Sequence, residues 1–228
     1  LRHSKVNDTV WMATQAYLLL YNTAQALGWS AALATTVRSI VVNGGSLAAV
    51  YGDSGWFVRT FQVASVLEVF HAGLKLTRTP MSAALMQWAG RTHVLIAVTH
   101  VIPHLQTTAA AGILILAWAL TEVIRYPSYA LSQSCPGWLN WLRYTIFVPL
   151  YPIGAASEMK LMYDGIPTMT AKQMYSISMP NAYNFAFDYT LFVKVVLILY
   201  PFLFYQLYAY MFVQRKKKLG PSTRKKED

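Results

Sequence analysis

Tyr151 and Glu158 stand seven residues apart within residues 142–163, LRYTIFVPLYPIGAASEMKLMY, a stretch apolar and long enough to cross a bilayer. Seven residues make about two helical turns, so a helix would carry the phenol and the carboxyl on one face. A carboxyl kept partly out of water can serve general acid–base chemistry near neutrality, and a tyrosine can supply a second proton-transfer group or a hydrogen-bond donor. Pro149, Pro152 and Gly154 surround the pair. A break there would free backbone groups able to bind a developing oxyanion. The same residues also describe a kinked helix with an interfacial tyrosine and a lumenal glutamate, and both readings stand on this stretch alone.

Other constellations carry less. His100 and His104 have the H-x-x-x-H spacing of histidine-rich membrane oxygenases, but those need many more histidines than the five present, and Pro103 would break the helix meant to align them. Glu68 and His71 give a single E-x-x-H, where a carboxylate-bridged di-iron bundle uses two such motifs and two further carboxylates. No metal site is expected. Seven residues separate Cys135, the one cysteine, from Arg143, instead of the five of a tyrosine-phosphatase loop, and no disulfide can form within the chain. Nucleophile-elbow, P-loop and dinucleotide fingerprints are absent.

The elements that must hold the pair are membrane helices. Of 228 residues 55% are hydrophobic and 12% charged, against roughly 25% charged in soluble domains. Six spans are expected: 9–29, 55–76, 81–101, 107–124, 142–163 and 189–213. Residues 30–54, with Asn43, Gly44, Gly45 and Gly52, read as a loop with an optional half-helix at 31–42. Pro127 is expected to end the fourth span, and 160–188 to form a long mixed connection. The fold class is an all-α, six-helix polytopic bundle, with residues 1–213 as one transmembrane domain and 214–228 as a basic cytosolic tail.

Arg59, Glu68, Glu122, Arg143, Glu158 and Lys194 are ionisable groups within these spans, each a functional candidate or half of a pair. Glu122 and Arg125, three apart, are expected to pair on one helix. Lys160 would point away from Glu158 on a helix.

With the N-terminus cytosolic, fourteen of the nineteen Lys and Arg fall on the cytosolic side: Arg2, Lys5, Lys75, Arg78, Arg91, Arg125, Arg143 and seven from Arg215 onward. Arg38, Arg59, Lys160, Lys172 and Lys194 fall opposite. The bias obeys the positive-inside rule. It also explains the formal net charge of +10 without nucleic acid, since the charge is concentrated in a tail suited to anionic lipid. Arg2, His3 and Lys5 before Asp8 are expected to lead into a retained span rather than a cleaved signal. Lys225 and Lys226 before Glu227 and Asp228 resemble a dilysine retrieval signal of the endoplasmic reticulum.

The string R-Y-x-x-F-x-x-L-Y-P-x-G-x-x-x-E, running from Arg143 to Glu158, resembles the very-long-chain (3R)-3-hydroxyacyl-CoA dehydratases, the protein tyrosine phosphatase-like family. YLLLYN at 17–22, LEVFH at 67–71, TEVIRY at 121–126, MYSISMPN at 174–181 and NFAFD at 184–188 agree with it. The resemblance implies six spans with both termini cytosolic in the endoplasmic-reticulum membrane, and no metal or organic cofactor. It also implies Tyr151 and Glu158 as the catalytic pair, with Arg143 and Gly154 supporting the site or the fold. The implied reaction is loss of water from a 3-hydroxyacyl-CoA to a trans-2-enoyl-CoA, the third step of fatty-acid elongation. The implied partners are the long-chain substrate, membrane lipid, and the condensing enzyme and reductases of elongation.

That reaction needs a base at C2, an acid at the departing C3 hydroxyl and a donor at the thioester oxygen. Either assignment of the pair satisfies the spacing; Glu158 is preferred as base, with Tyr151 assisting the hydroxyl. An apolar channel between helices would hold the acyl chain, and Lys75, Arg78, Arg91 or Arg125 could meet the CoA phosphates in a deep cavity open to the cytosol. A transporter or lipid-binding protein built on a broken helix is the alternative from another class. A non-catalytic elongation scaffold is the third, and the intact Tyr–Glu pair argues against it.

Overall fold

The computed structural model describes residues 2–220, with side chains for 11–132 and 134–220. The dilysine at 225 and 226, and most of the basic tail, lie outside the described residues. Helix α1 is Arg2–Val42. The polar residues at 30–42 do not end it, because their hydroxyls bond back into the same helix: Thr35 Oγ1 donates to the Ala31 carbonyl at 2.9 Å and Thr36 Oγ1 to that of Ala32 at 2.7 Å. The expected loop at 30–54 therefore shrinks to residues 43–49. There Gly44 (φ 62°) and Gly45 (φ 91°) adopt the left-handed backbone that a side chain disfavours.

Helices α2 (Val50–Ala64) and α3 (Leu67–Gly73) replace the single expected span at 55–76; Ser65, whose Oγ donates to the Gln62 carbonyl at 2.6 Å, turns the chain between them. Helix α4 (Met81–Thr92) continues into a π-helical stretch, His93–His100, where Thr99 Oγ1 reaches the Val94 carbonyl five residues back. Helix α5 (Pro103–Gln106) starts afresh at its proline, so His100 and His104 are not aligned on one helix.

Helix α6 (Ala109–Leu131) is capped by Thr108, whose hydroxyl accepts from the Ala111 N–H. It passes through Pro127 instead of ending there. Packing overrides the local signal, since Tyr126 and Ser128 on either side are buried. Helices α7 (Gly137–Arg143), α8 (Phe147–Lys172) and α9 (Tyr189–Leu219) complete the all-helical fold. The mixed connection shrinks to residues 173–188, pinned by paired backbone hydrogen bonds between Ile177 and Phe187.

Helix α6 is the axis of the bundle, packed on α1, α2 and α8; α8 in turn carries α9 and the π-helical stretch. Gly112 lets α6 approach the loop before α2. A Cβ there would lie 2.7 Å from the Leu47 carbonyl oxygen. Gly112→Ala should therefore cost about 1–3 kcal/mol, read as a lower unfolding midpoint in detergent.

Helices α6 and α9 are each long and apolar enough to cross a membrane. Helix α9 leaves Leu191, Ile198, Phe202, Leu203 and Val213 exposed along its length. An apolar face of that extent suits lipid better than water.

Candidate active site

Tyr151 and Glu158 both belong to α8, which stays helical across Pro149 and Pro152. Pro149 lies in the first turn, where a missing N–H costs nothing. Pro152 deprives the Val148 carbonyl of its helical donor, and the Tyr208 hydroxyl of α9 supplies a substitute at 2.9 Å. The expected break between the two residues is thus absent, and the two-turn spacing on one face holds on a regular helix. The freed backbone group is an acceptor that is already satisfied. It cannot serve as the oxyanion donor expected from the proline–glycine break.

Each carboxylate oxygen of Glu158 has one neutral donor: the Tyr200 hydroxyl of α9 at 2.6 Å to Oε2, and the Trp118 indole of α6 at 3.3 Å to Oε1. No cation pairs with Glu158 among the described residues, and Lys160 turns instead to Asp164 at 2.5 Å. Sequence reasoning missed Tyr200 and Trp118. The only signal was that an aromatic donor inside an apolar helix needs a partner, which does not say which one. Tyr200→Phe removes a charge-assisted hydrogen bond of a kind that contributes about 1.5–3 kcal/mol to stability, so it should lower the unfolding midpoint in detergent by several degrees; a thermal melt beside the wild type checks it.

Tyr151 packs edge-on against Phe147, ring centroids 5.7 Å apart, and its hydroxyl bonds no other described residue. The charges of Arg125, Glu122 and Arg91 act on it, and that of Arg91 also acts on Glu158.

Those charges belong to a chain that is half-buried apart from its enclosed centre, Glu122. Glu122, 1% exposed, accepts from Arg91 Nη1 and Arg125 Nε, both at 2.5 Å. Arg125 reaches on to Glu68 at 3.2 Å, and Glu68 also accepts from Tyr126 at 2.5 Å and Tyr21 at 3.3 Å. The expected Glu122–Arg125 pair is present, extended by Arg91 and Glu68 from other helices. Glu68 and His71 diverge, since His71 Nε2 meets the Tyr17 hydroxyl at 2.8 Å.

A cavity of about 630 Å³ lies beside this chain, lined by α1, α2, α3, α4, α6 and α7. Exposed Arg78 and half-buried Arg143 are at its mouth, while Arg91 and Arg125 form its inner wall. Arg143 stacks on Tyr129, 4.4 Å from its ring centroid. Lys75 sits exposed in the turn after α3 and does not line the cavity. Tyr151 and Glu158 do not line it either; they lie behind the inner wall, where Arg91 stacks 4.1 Å over the Trp118 ring that donates to Glu158. Gly154 is buried and faces Trp118: a Cβ there would meet only the indole nitrogen, at 4.0 Å. Gly154→Ala should therefore fold normally and leave Trp118 in place, since 4.0 Å is an ordinary van der Waals contact; a thermal melt checks it.

The family profile described as protein tyrosine phosphatase-like protein, PTPLA, matches residues 62–221, most of the chain. The chain belongs to this family. Among curated relatives, the very-long-chain (3R)-3-hydroxyacyl-CoA dehydratase hpo-8 of Caenorhabditis elegans is 36% identical over 95% of this chain and 100% of its own length. Very-long-chain (3R)-3-hydroxyacyl-CoA dehydratase 2 of Homo sapiens is 34% identical over 90% of this chain and 81% of its own. Very-long-chain (3R)-3-hydroxyacyl-CoA dehydratase PASTICCINO 2 of Arabidopsis thaliana is 33% identical over 92% and 96%. No solved structure matches. Despite the family's phosphatase-like title, the Cys135–Arg143 spacing does not make a phosphatase loop. The stretch matched to the family contains Glu68, Arg91, Trp118, Glu122, Arg125, Tyr151, Glu158 and Tyr200, the polar system around α8 apart from Tyr21 of α1.

Proposed function

We infer that this protein removes water from a long or very-long-chain (3R)-3-hydroxyacyl-CoA, giving the trans-2-enoyl-CoA, as the third step of fatty-acid elongation. The observation that carries the reading is Glu158: a carboxylate in the middle of an apolar helix bundle, held by two neutral donors and by no cation among the described residues, two turns from a tyrosine on the same face.

In the proposed mechanism Glu158 takes the C2 proton, the electron pair of that C–H bond becomes the C2=C3 double bond, and the C3–O bond breaks. Tyr151 gives its proton to the leaving hydroxyl, which departs as water. The proton on Glu158 then returns to the tyrosinate, and the pair is restored. Arg143, stacked on Tyr129, and Gly154, facing Trp118, support the geometry around the pair. With Arg91 and Arg125 engaged by Glu122 and Glu68, the charges freest to meet CoA phosphates are those of Arg78 and Arg143 at the cavity mouth and of Lys75 in the exposed turn after α3.

The same reading places six spans in the endoplasmic-reticulum membrane with both termini cytosolic: α1, α2 with α3, α4 with the π-helical stretch, α6, α8 and α9. Residues 1–213 form one transmembrane domain and 214–228 a basic tail. Substrate and lipid are its small partners, and the condensing enzyme and reductases of elongation its protein partners. Glu158 is the twelfth residue of α8, about 17 Å along the axis from Phe147, which puts it at mid-membrane depth in this reading; an acyl-CoA entering at the cytosolic mouth must pass the wall formed by Arg91 and Arg125 to reach it.

Incubating purified protein with a long-chain 3-hydroxyacyl-CoA and following products by mass spectrometry tests the reading. Accumulation of a species lighter by one water is the expected result; unchanged substrate with a folded protein would sink it.

A further inference from the structure

The dehydratase reading assigns a base and an acid but no group to the thioester oxygen, which gains negative charge as C2 loses its proton. The backbone of α8 does not provide one. Arg91 has what is needed. Its Nη1 is committed to Glu122, while Nε and Nη2 are buried and find no acceptor among the described residues. These two atoms form the side edge of the guanidinium fork, a pair of parallel donors of the kind that grips a carboxylate or an oxyanion.

The edge is held rigidly. Glu122 anchors one end of the guanidinium, and the Trp118 ring lies 4.1 Å beneath it, with Trp29 beyond at 5.8 Å. Trp118 is also the donor to Glu158, so one indole fixes the place of both the guanidinium and the carboxylate. Arg91 further lines the cavity through which the CoA end would arrive. Buried donors without acceptors are costly, and they are tolerated best where a ligand satisfies them. A cation with two free donors, one indole away from Glu158 at the inner wall of the cavity, has the charge and the paired N–H groups that stabilisation of an enolate oxygen requires.

We propose that Arg91 is a third catalytic residue, whose Nε–H and Nη2–H edge hydrogen-bonds the thioester oxygen of the substrate and stabilises the charge that develops there. This proposal rests on the dehydratase reading. In it the C2–H electrons delocalise toward the thioester oxygen as Glu158 takes the proton, and flow back to form C2=C3 as the hydroxyl leaves. Arg91 changes neither its charge nor its protonation. Its charge is therefore not available as a CoA-phosphate ligand, and a pure phosphate role predicts a different kinetic signature.

The test uses the full chain in lipid nanodiscs and a trans-2-enoyl-CoA carrying a ¹³C-labelled thioester carbonyl. Infrared difference spectra should show the carbonyl stretch moving to lower frequency on binding to the wild type. Arg91→Lys keeps a cation for Glu122 but removes the paired donors. It should lose most of that shift and lower kcat about 10²- to 10³-fold, with KM changed only a few-fold. Glu158→Gln should keep the shift while losing turnover. An Arg91→Lys protein that retains the carbonyl shift, or that raises KM without lowering kcat, overturns the proposal. So does an unshifted carbonyl in the wild type, a measurement that stands even where the variant fails to fold. Failure of the dehydratase reading itself is distinct, because the wild type would then form no enoyl-CoA from 3-hydroxyacyl-CoA.

Discussion

Glu158→Gln and Tyr151→Phe each lose dehydration by at least about 10²- to 10⁴-fold in kcat/KM, the range that a positioned acid or base supplies. Both changes remove a proton-transfer function while leaving shape nearly unchanged. In Glu158→Gln the single amide oxygen could still accept from Tyr200 or Trp118, one at a time, so the helix contacts α8–α9 and α6–α8 survive. Tyr151→Phe keeps the edge contact to Phe147 and loses only a hydroxyl that bonds no other described residue. Tyr151→Phe should leave the unfolding midpoint nearly unchanged, whereas Glu158→Gln, which gives up one of two buried hydrogen bonds, should lower it by several degrees while the protein still folds. The two differ in one informative way. If Glu158 is the base, Glu158→Gln also stops exchange of the C2 proton of bound substrate with deuterated solvent, whereas Tyr151→Phe still permits some exchange because the carboxylate remains. Near-normal turnover in both folded variants would remove the proposed site altogether.

Why these two residues were legible in the sequence, and their surroundings less so, follows from how far apart their partners lie. Tyr151 and Glu158 share one helix, so spacing alone places them together, as it does Glu122 and Arg125. Trp118 and Tyr200 reach Glu158 from 40 and 42 residues away, and Arg91 reaches Glu122 from 31 away. No periodicity encodes such contacts; they are set by how α6 packs on α8 and α8 on α9, and by the approach of α4 to α6. The helix ends show the same limit. Prolines 127 and 152 read as breaks, yet α6 and α8 run through them, because buried neighbours and a hydroxyl from another helix compensate the missing backbone bond. Conversely, Asn43-Gly44-Gly45 marks a true end, since its left-handed glycines satisfy the helix terminus locally.

Glu122→Ala is expected to destabilise the protein more than any change to the proposed catalytic pair. Glu122 is almost fully enclosed and holds two guanidiniums at once, Arg91 and Arg125. Deleting it leaves both cations short of a counter-charge; because they are 15% and 18% exposed along the cavity wall, the cost falls toward the lower end of the about 3–5 kcal/mol of a fully buried pair. Arg125 retains Glu68, which is more exposed, so part of the network survives. Arg91 is then left with no anion among the described residues. The asymmetry gives a sharper expectation than simple loss of stability. A double change, Glu122→Gln with Arg91→Met, should recover much of the thermal stability lost in Glu122→Gln alone, because it removes the orphaned charge along with its partner. Activity should not recover, since the guanidinium whose charge acts on both Tyr151 and Glu158 is gone. Melting curves and product formation on the same detergent-solubilised samples check both halves. Restored activity in the double variant would mean that the ion-pair chain serves folding alone.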